Sequence, residues 1–242
     1  MPHAGRTLAI VQHDSAEYLG LIEDHLEGRQ IRFRYHRPFT EGGRLPGARD
    51  WAEGLVLLGA GPFGAAPGPS RLPSFDAEVA LTATALAEGV PVLGIGLGAL
   101  ILCKAAGGGF SAAPLTFEVA SVQRTVDDAL AGYLPARFPL VRYGRDEPVM
   151  PAAARVLATD EAGRPALFQV GERAFGFSGH PGIKSAIIED LIMEFPETPP
   201  DLELRLPALR AARDAIEDAL VPIMTGLVRC MRLMEGAGAA GA

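Results

Sequence analysis

Residues 91–100 read PVLGIGLGAL: a proline, an apolar run, then glycines at 94, 96 and 98. This is the pattern of a buried strand that turns sharply into a helix, and such a turn normally carries a reactive side chain at its tip. The tip here is Gly96, which has no side chain to react. Glycine accepts the strained backbone of such a tip almost freely, whereas another residue there costs about 1–3 kcal/mol. Other nucleophiles are Cys103, Cys230 and Ser178. Cys103 lies about two helical turns beyond the tip, and LILC (100–103) reads as a core face. Cys230 falls in a C-terminal helical stretch far from the tip. Ser178 stands two residues before His180 and points the same way if the strand persists. The expected roles are core packing for both cysteines and packing or hydrogen bonding for Ser178.

The remaining polar candidates are scattered. His13 and His36 lie at the ends of the first two strand-like runs and are expected to be surface or satisfied histidines. Asp14, Asp146 and Glu147 show no metal spacing, so neither a metal nor a cofactor is expected. GAGPFGAAPGP (59–69) lacks the G-x-G-x-x-G spacing of a dinucleotide loop and is interrupted by Pro62, Pro67 and Pro69.

These residues need elements to position them. TLAIVQHD (7–14), QIRFRYHRPF (30–39), GLVLLGAGP (54–62) and PVLGI (91–95) read as strands. AEYLGLIEDHLEG (16–28) has Leu19, Ile22 and Leu26 at helical spacing, with Gly28 as its stop. SFDAEVALTATALAEG (74–89) reads as a helix with Ser74 as N-cap and Gly89 as stop. The alternation predicts a parallel, doubly wound sheet. From about 117 to 178, short strand-like runs between turn residues predict an antiparallel extension. SAIIEDLIMEF (185–195) reads as an amphipathic helix. Residues 207–234 read as one long or broken helix, kinked at Pro222, and EGAGAAGA (235–242) as a disordered tail.

The 242 residues suit a single α/β domain spanning 1–242, with a helical extension over about 203–234. A net charge of −7 argues against a nucleic-acid partner. No apolar run reaches the length of a membrane span, and the N-terminus enters a strand-like run with no signal-peptide core, so a cytoplasmic location is expected. Two cysteines give no disulfide framework.

Three segments stand in order: VLLGAGPFG (56–64), PVLGIGLGALILCKAAGGG (91–109) and AFGFSGHPGIK (174–184). In order and spacing the chain resembles the class I glutamine amidotransferases, over nearly its whole length. The resemblance implies a flavodoxin-like three-layer sandwich around a mostly parallel sheet. It also implies acyl transfer by a cysteine at the elbow, a histidine base and a glutamate that orients it, with backbone N–H groups stabilising the oxyanion. Carried over by position, the nucleophile falls on Gly96, the base on His180 and the orienting acid on Gly182. The elbow glutamine falls on Leu100 and the second loop glycine on Ala60. A tryptophan–histidine–glycine–aspartate run becomes Tyr143, Gly144, Arg145 and Asp146, with Arg145 expected in a solvated loop.

Only the histidine of the triad remains, and glycine cannot form a thioester. The expectation is therefore a non-hydrolytic pseudoenzyme, its vestigial triad at Gly96, His180 and Gly182. It would act as a partner subunit or bind a small metabolite at Gly59, Ala60, Gly61, Gly96, Leu97 and His180. The alternatives are a lyase, isomerase or transferase that reuses the pocket with His180, and an amidotransferase with a non-elbow nucleophile. The resemblance implies a synthase or ligase partner. An apolar stripe of Ile216, Leu220, Ile223, Met224, Leu227, Met231 and Met234 must also be buried, either on its own domain or in a homo-oligomer through the C-terminal helix.

Overall fold

The computed structural model of the protein describes residues 7–234. The 235–242 tail therefore lies outside the described residues. Strands β1 (Thr7–Val11), β2 (Arg32–His36), β3 (Leu55–Leu57) and β4 (Val92–Ile95) alternate with helices α1 (Leu21–Glu27), α2 (Ala48–Trp51), α3 (Phe75–Ala87) and α4 (Leu97–Ala105). Short strands then take over: β5 (Gly109–Ser111), β6 (Thr116–Arg124), β7 (Arg137–Gly144), β8 (Glu147–Val149), β9 (Ala154–Asp160), β10 (Pro165–Val170) and β11 (Ala174–Phe177). Helices α5 (Ser185–Glu194), α6 (Leu202–Ala211) and α7 (Arg213–Cys230) follow.

Nine of these strands form one sheet in the order β2-β1-β3-β4-β11-β10-β9-β6-β7. The β2-β1-β3-β4-β11 part is parallel, and the part from β10 to β7 is antiparallel. The parallel part is the expected doubly wound core, and the antiparallel part is the expected extension. Alternation along β1 sends Leu8 and Ile10 to one face and Ala9 and Val11 to the other. The first face is covered by α1 and α7, through Ile22, Leu26, Leu220, Met224 and Leu227. The second is covered by α3 and α4, through Phe75, Ile101 and Cys103. Helix, sheet and helix make the flavodoxin-like three-layer sandwich. A third apolar cluster joins α5 and α6 to the end of the antiparallel part, through Phe117, Val141, Ile187, Leu191 and Leu209.

Three elements differ from the sequence expectation. Helix α1 begins only at Leu21, because Gly20 adopts φ 61° and ψ −128° and the chain before it is irregular. Ser74 precedes α3, but its hydroxyl donates to Glu78 at 2.6 Å rather than capping the backbone. The C-terminal helix breaks at Ala212, between α6 and α7, whereas Pro207 and Pro222 both lie inside helices. The apolar stripe of α7 is spent inside the fold: Ile216, Leu220, Ile223, Met224, Leu227 and Met231 are buried, and only Met234 is exposed.

An ionic network holds the antiparallel part. The Arg142 guanidinium donates to Asp160 at 2.8 Å, to Glu118 at 3.1 Å and to the Ser178 hydroxyl at 2.9 Å. Burial pushes the Asp160 carboxyl up, but hydrogen bonds from Arg164 and the charges of Arg142 and Arg164 hold it below its ordinary value. Removing one partner of such a buried pair leaves a charge uncompensated, which costs about 3–5 kcal/mol. Arg142→Ala is therefore expected to lose about 3 kcal/mol of unfolding free energy in urea. The same substitution in an Asp160→Asn background is expected to lose clearly less. Equal losses in both backgrounds would place the stabilisation elsewhere.

Candidate functional site

The elbow forms as its glycines require. Gly96 sits between β4 and α4 with φ 57° and ψ −119°, a left-handed conformation that other residues hold only under strain. Helix α4 then crosses directly over β3, where a Cβ on Gly98 would collide with the Leu57 carbonyl.

The Glu17 carboxyl lies against Gly59 and beside Gly96. A Cβ built on Gly96 would lie 3.3 Å from the Gly59 Cα and 4.0 Å from Glu17 Oε1. A Cβ on Gly59 would overlap the Glu17 carboxyl itself. Glu17 Oε2 accepts the Gly61 N–H at 3.0 Å. A buried carboxyl thus stands against the glycine loop, near the elbow, and takes one of the loop's backbone donors. Burial, then the charge of Asp14, push the Glu17 carboxyl up to about 8, against the Gly61 N–H and the nearby His13. Burial thus favours the protonated form of Glu17.

The irregular segment between β1 and α1 delivers this side chain. Asp14 Oδ1 accepts the N–H groups of Ala16 at 2.9 Å and Glu17 at 2.6 Å. Burial raises Asp14 to about 6, and its Oδ2 is buried without a partner. His13 places Nδ1 against the Gly59 carbonyl and Nε2 against Glu78 Oε2, both at 2.8 Å. With acceptors on both nitrogens the ring is an imidazolium. Burial opposes that charge, but the charge and hydrogen bond of Glu78 and the bond to Gly59 carry its pKa up to about 8. His13 thus fixes the carbonyl of the residue that lies against Glu17.

The sequence expectation had no place for Glu17. It set 16–28 as one helix, with Glu17 in the first turn. Asp14-x-x-Glu17 has the spacing of a helix start, and Asp14 does bond the backbone as an N-cap would. The chain then stays irregular to Gly20. The local signal was present, and what changed its meaning is the long-range seat at Gly59 and Gly61.

The expected site residues separate into two groups. Ala60, Gly61, Gly96 and Leu97 line a small open cleft of about 40 Å³, together with Leu100, Phe63 and Tyr143. Gly59 lies beneath the Glu17 carboxyl. His180 is buried and its ring is engaged elsewhere: Nε2 donates to the Tyr18 carbonyl at 3.0 Å, and Nδ1 accepts the Gly182 N–H at 3.2 Å. Burial lowers its pKa to about 4, against the Tyr18 bond, so it is neutral. A Cβ on Gly182 would approach Leu220 of α7 to 2.7 Å, and the Gly182 carbonyl accepts the Leu21 N–H at 2.8 Å.

The other candidates have structural partners. Cys103 donates to the Val149 carbonyl at 3.1 Å, and burial raises its thiol to about 11. Ser178 accepts from Arg142. Arg145 is engaged rather than solvated, donating to the Pro62 carbonyl at 2.6 Å and pairing with Glu197 at 2.7 Å. Asp146 gathers the N–H groups of Ala65, Ala66 and Ala113 at 2.7, 2.9 and 3.1 Å, which ties the β7–β8 turn to the loop beside the cleft. Among the described residues, no group of three or more His, Cys, Asp or Glu is placed to hold a metal, and no helix is long and apolar enough to cross a membrane.

The buried acids make stability depend on pH in a definite direction. His13 rises from 6.5 to about 8 and Glu17 from 4.5 to about 8, so both hold protons more tightly folded than unfolded. For both groups the contribution falls as pH rises toward the folded pKa. Between pH 6.5 and 8 unfolding releases both protons, at about 1.4 kcal/mol per pH unit each. Thermal midpoints are expected to fall from pH 6 to pH 9, and Glu17→Gln is expected to flatten that fall. A midpoint that rises across this range would contradict the buried, protonated Glu17.

No protein-family profile and no curated protein matches this sequence. Solved structures do match. A glutamine amidotransferase from Methylobacillus flagellatus aligns over 98% of this chain and 98% of its own, with a TM-score of 0.78 and 21% identity. A glutamine amidotransferase from Thermotoga maritima aligns over 96% of this chain and 100% of its own, with a TM-score of 0.75 and 24% identity. A putative GMP synthase subunit from Thermoplasma acidophilum aligns over 79% of this chain and 94% of its own, with a TM-score of 0.57 and 17% identity. The likeness at these identities is one of fold, and the chain carries the α/β fold of the class I glutamine amidotransferases.

Proposed function

We propose that this protein does not hydrolyse glutamine and acts by binding, with the open cleft beside Gly96 taking a small metabolite. The observation that carries this reading is the Glu17 carboxyl seated against Gly59, beside Gly96, on the Gly61 N–H. An amide substrate would need that space and that donor. Gly96 supplies no nucleophile, and the thiol of Cys103 is buried and held protonated. His180, with both ring nitrogens bonded inside the protein, is placed to hold the segment that delivers Glu17 rather than to serve as acid or base. The cleft left open lies at the carboxyl ends of β3 and β4, where ligands of such sheets bind. Within this reading the protein works in the cytoplasm with a synthase or ligase. Support for that partner class is the fold likeness to PurLQS from Thermotoga maritima and to the Thermoplasma acidophilum protein described as a putative GMP synthase component.

Two experiments test the reading. Purified protein is expected to release no ammonia from glutamine above a buffer blank. Turnover that survives Cys103→Ala and Cys230→Ala would overturn the proposal. Gly96→Cys is also expected to remain inactive, because the new thiol would stand against Gly59 and the Glu17 carboxyl. Adding Gly182→Glu is expected to lower the thermal midpoint without rescue, since the side chain must displace Leu220, an overpacking that costs about 1–3 kcal/mol. Glutamine turnover by Gly96→Cys alone would show that Glu17 does not block the site.

A further inference from the structure

The surface charge of this chain is sorted. Residues 29–49 carry Arg29, Arg32, Arg34, Arg37, Arg44 and Arg49 against the single acid Glu41, in a chain of net charge −7. All of these arginines except Arg29 are exposed. They belong to β2, which is an edge strand paired only with β1, to the loop that follows it and, for Arg49, to α2. Arg32 and Arg34 stand two apart on the strand and share a face. Among the described residues, Arg34, Arg44 and Arg49 form no ion pair. Phe39, in the same stretch, is 44% exposed.

The opposite pattern occurs at α5 and just beyond it. Residues 189–203 carry Glu189, Asp190, Glu194, Glu197, Asp201 and Glu203 with no lysine or arginine, and all six acids are exposed. Helical spacing puts Ala186, Glu189, Asp190 and Met193 on one face of α5, and each is exposed. Met193 is 85% exposed at the end of that face. Each charged strip thus includes a bare apolar side chain, as protein interfaces do at their centres. Arginine on an edge strand also discourages strand pairing, but that does not account for an acidic helix face bearing a bare methionine.

We propose that the two strips are halves of one contact between copies of this chain. The arginine edge of one copy seats on the acidic α5 face of a second, and a two-fold axis repeats the contact in reverse. Opposite potentials select this partner and register, and the contact weakens as salt screens it. The α7 stripe has no part in it, being buried within its own fold.

Sedimentation of the full chain tests this. The expected result is a dimer at about 0.05 M salt and a monomer at about 1 M, where the screening length falls to roughly 3 Å. Arg32→Glu with Arg34→Glu is expected to give a monomer at low salt, and so is Glu189→Arg with Asp190→Arg. These side chains are exposed, and circular dichroism checks that both variants stay folded. Mixing the two variants restores opposite charge at both contacts, so the mixture is expected to form a heterodimer of twice the monomer mass. A wild-type monomer at low salt, a dimer that survives both reversals, or a mixture that stays monomeric would each overturn the proposal.

Discussion

The site is organised by one contact: the buried Glu17 carboxyl, lodged against Gly59, close to Gly96, and bonded to the backbone N–H of Gly61. Each participant limits the others. Gly59 has no side chain because the Glu17 carboxyl stands where its Cβ would be. Gly96 has none in a conformation that suits glycine, close to the same carboxyl. Burial and Asp14 both favour the protonated acid, and a neutral acid is far cheaper to bury than a carboxylate.

His180 and Gly182 hold the segment that carries Glu17. His180 bonds the Tyr18 carbonyl, one residue after Glu17. The Gly182 carbonyl bonds Leu21, at the start of α1. It also passes so close to Gly20 that a Cβ there would collide with it, which matches the positive φ of Gly20. On the other side, His13 pins the Gly59 carbonyl and is itself held by Glu78, which Ser74 bonds in turn. A side chain placed at Gly182 therefore meets Leu220 rather than a vacant pocket.

Much of this fold was legible because its signals are local. Apolar runs, glycine stops and the elbow glycines placed β1, β3, β4, α3, α4 and α5. The pattern failed where a distant contact decides. Asp14 and Glu17 have helix-start spacing, yet the seat at Gly59 and Gly61, more than forty residues away, draws Glu17 out of any helix. The pairing of His13 with Glu78 spans 65 residues, and neither residue lies in a motif. The break at Ala212 was masked by Pro222, a stronger breaker in sequence that the structure accommodates inside α7.

The most direct test of the Glu17 seat is a double-mutant cycle on Gly59 and Glu17, read as unfolding free energy in denaturant. The three nearest atoms to a Cβ on Gly59 all belong to the Glu17 carboxyl. Gly59→Ala is therefore expected to cost about 1–3 kcal/mol in the wild type. In a Glu17→Ala background it is expected to cost little, which gives a large coupling energy. An equal cost of Gly59→Ala in both backgrounds would mean that Glu17 does not lie against Gly59 beside the elbow, and the account would be wrong at its centre.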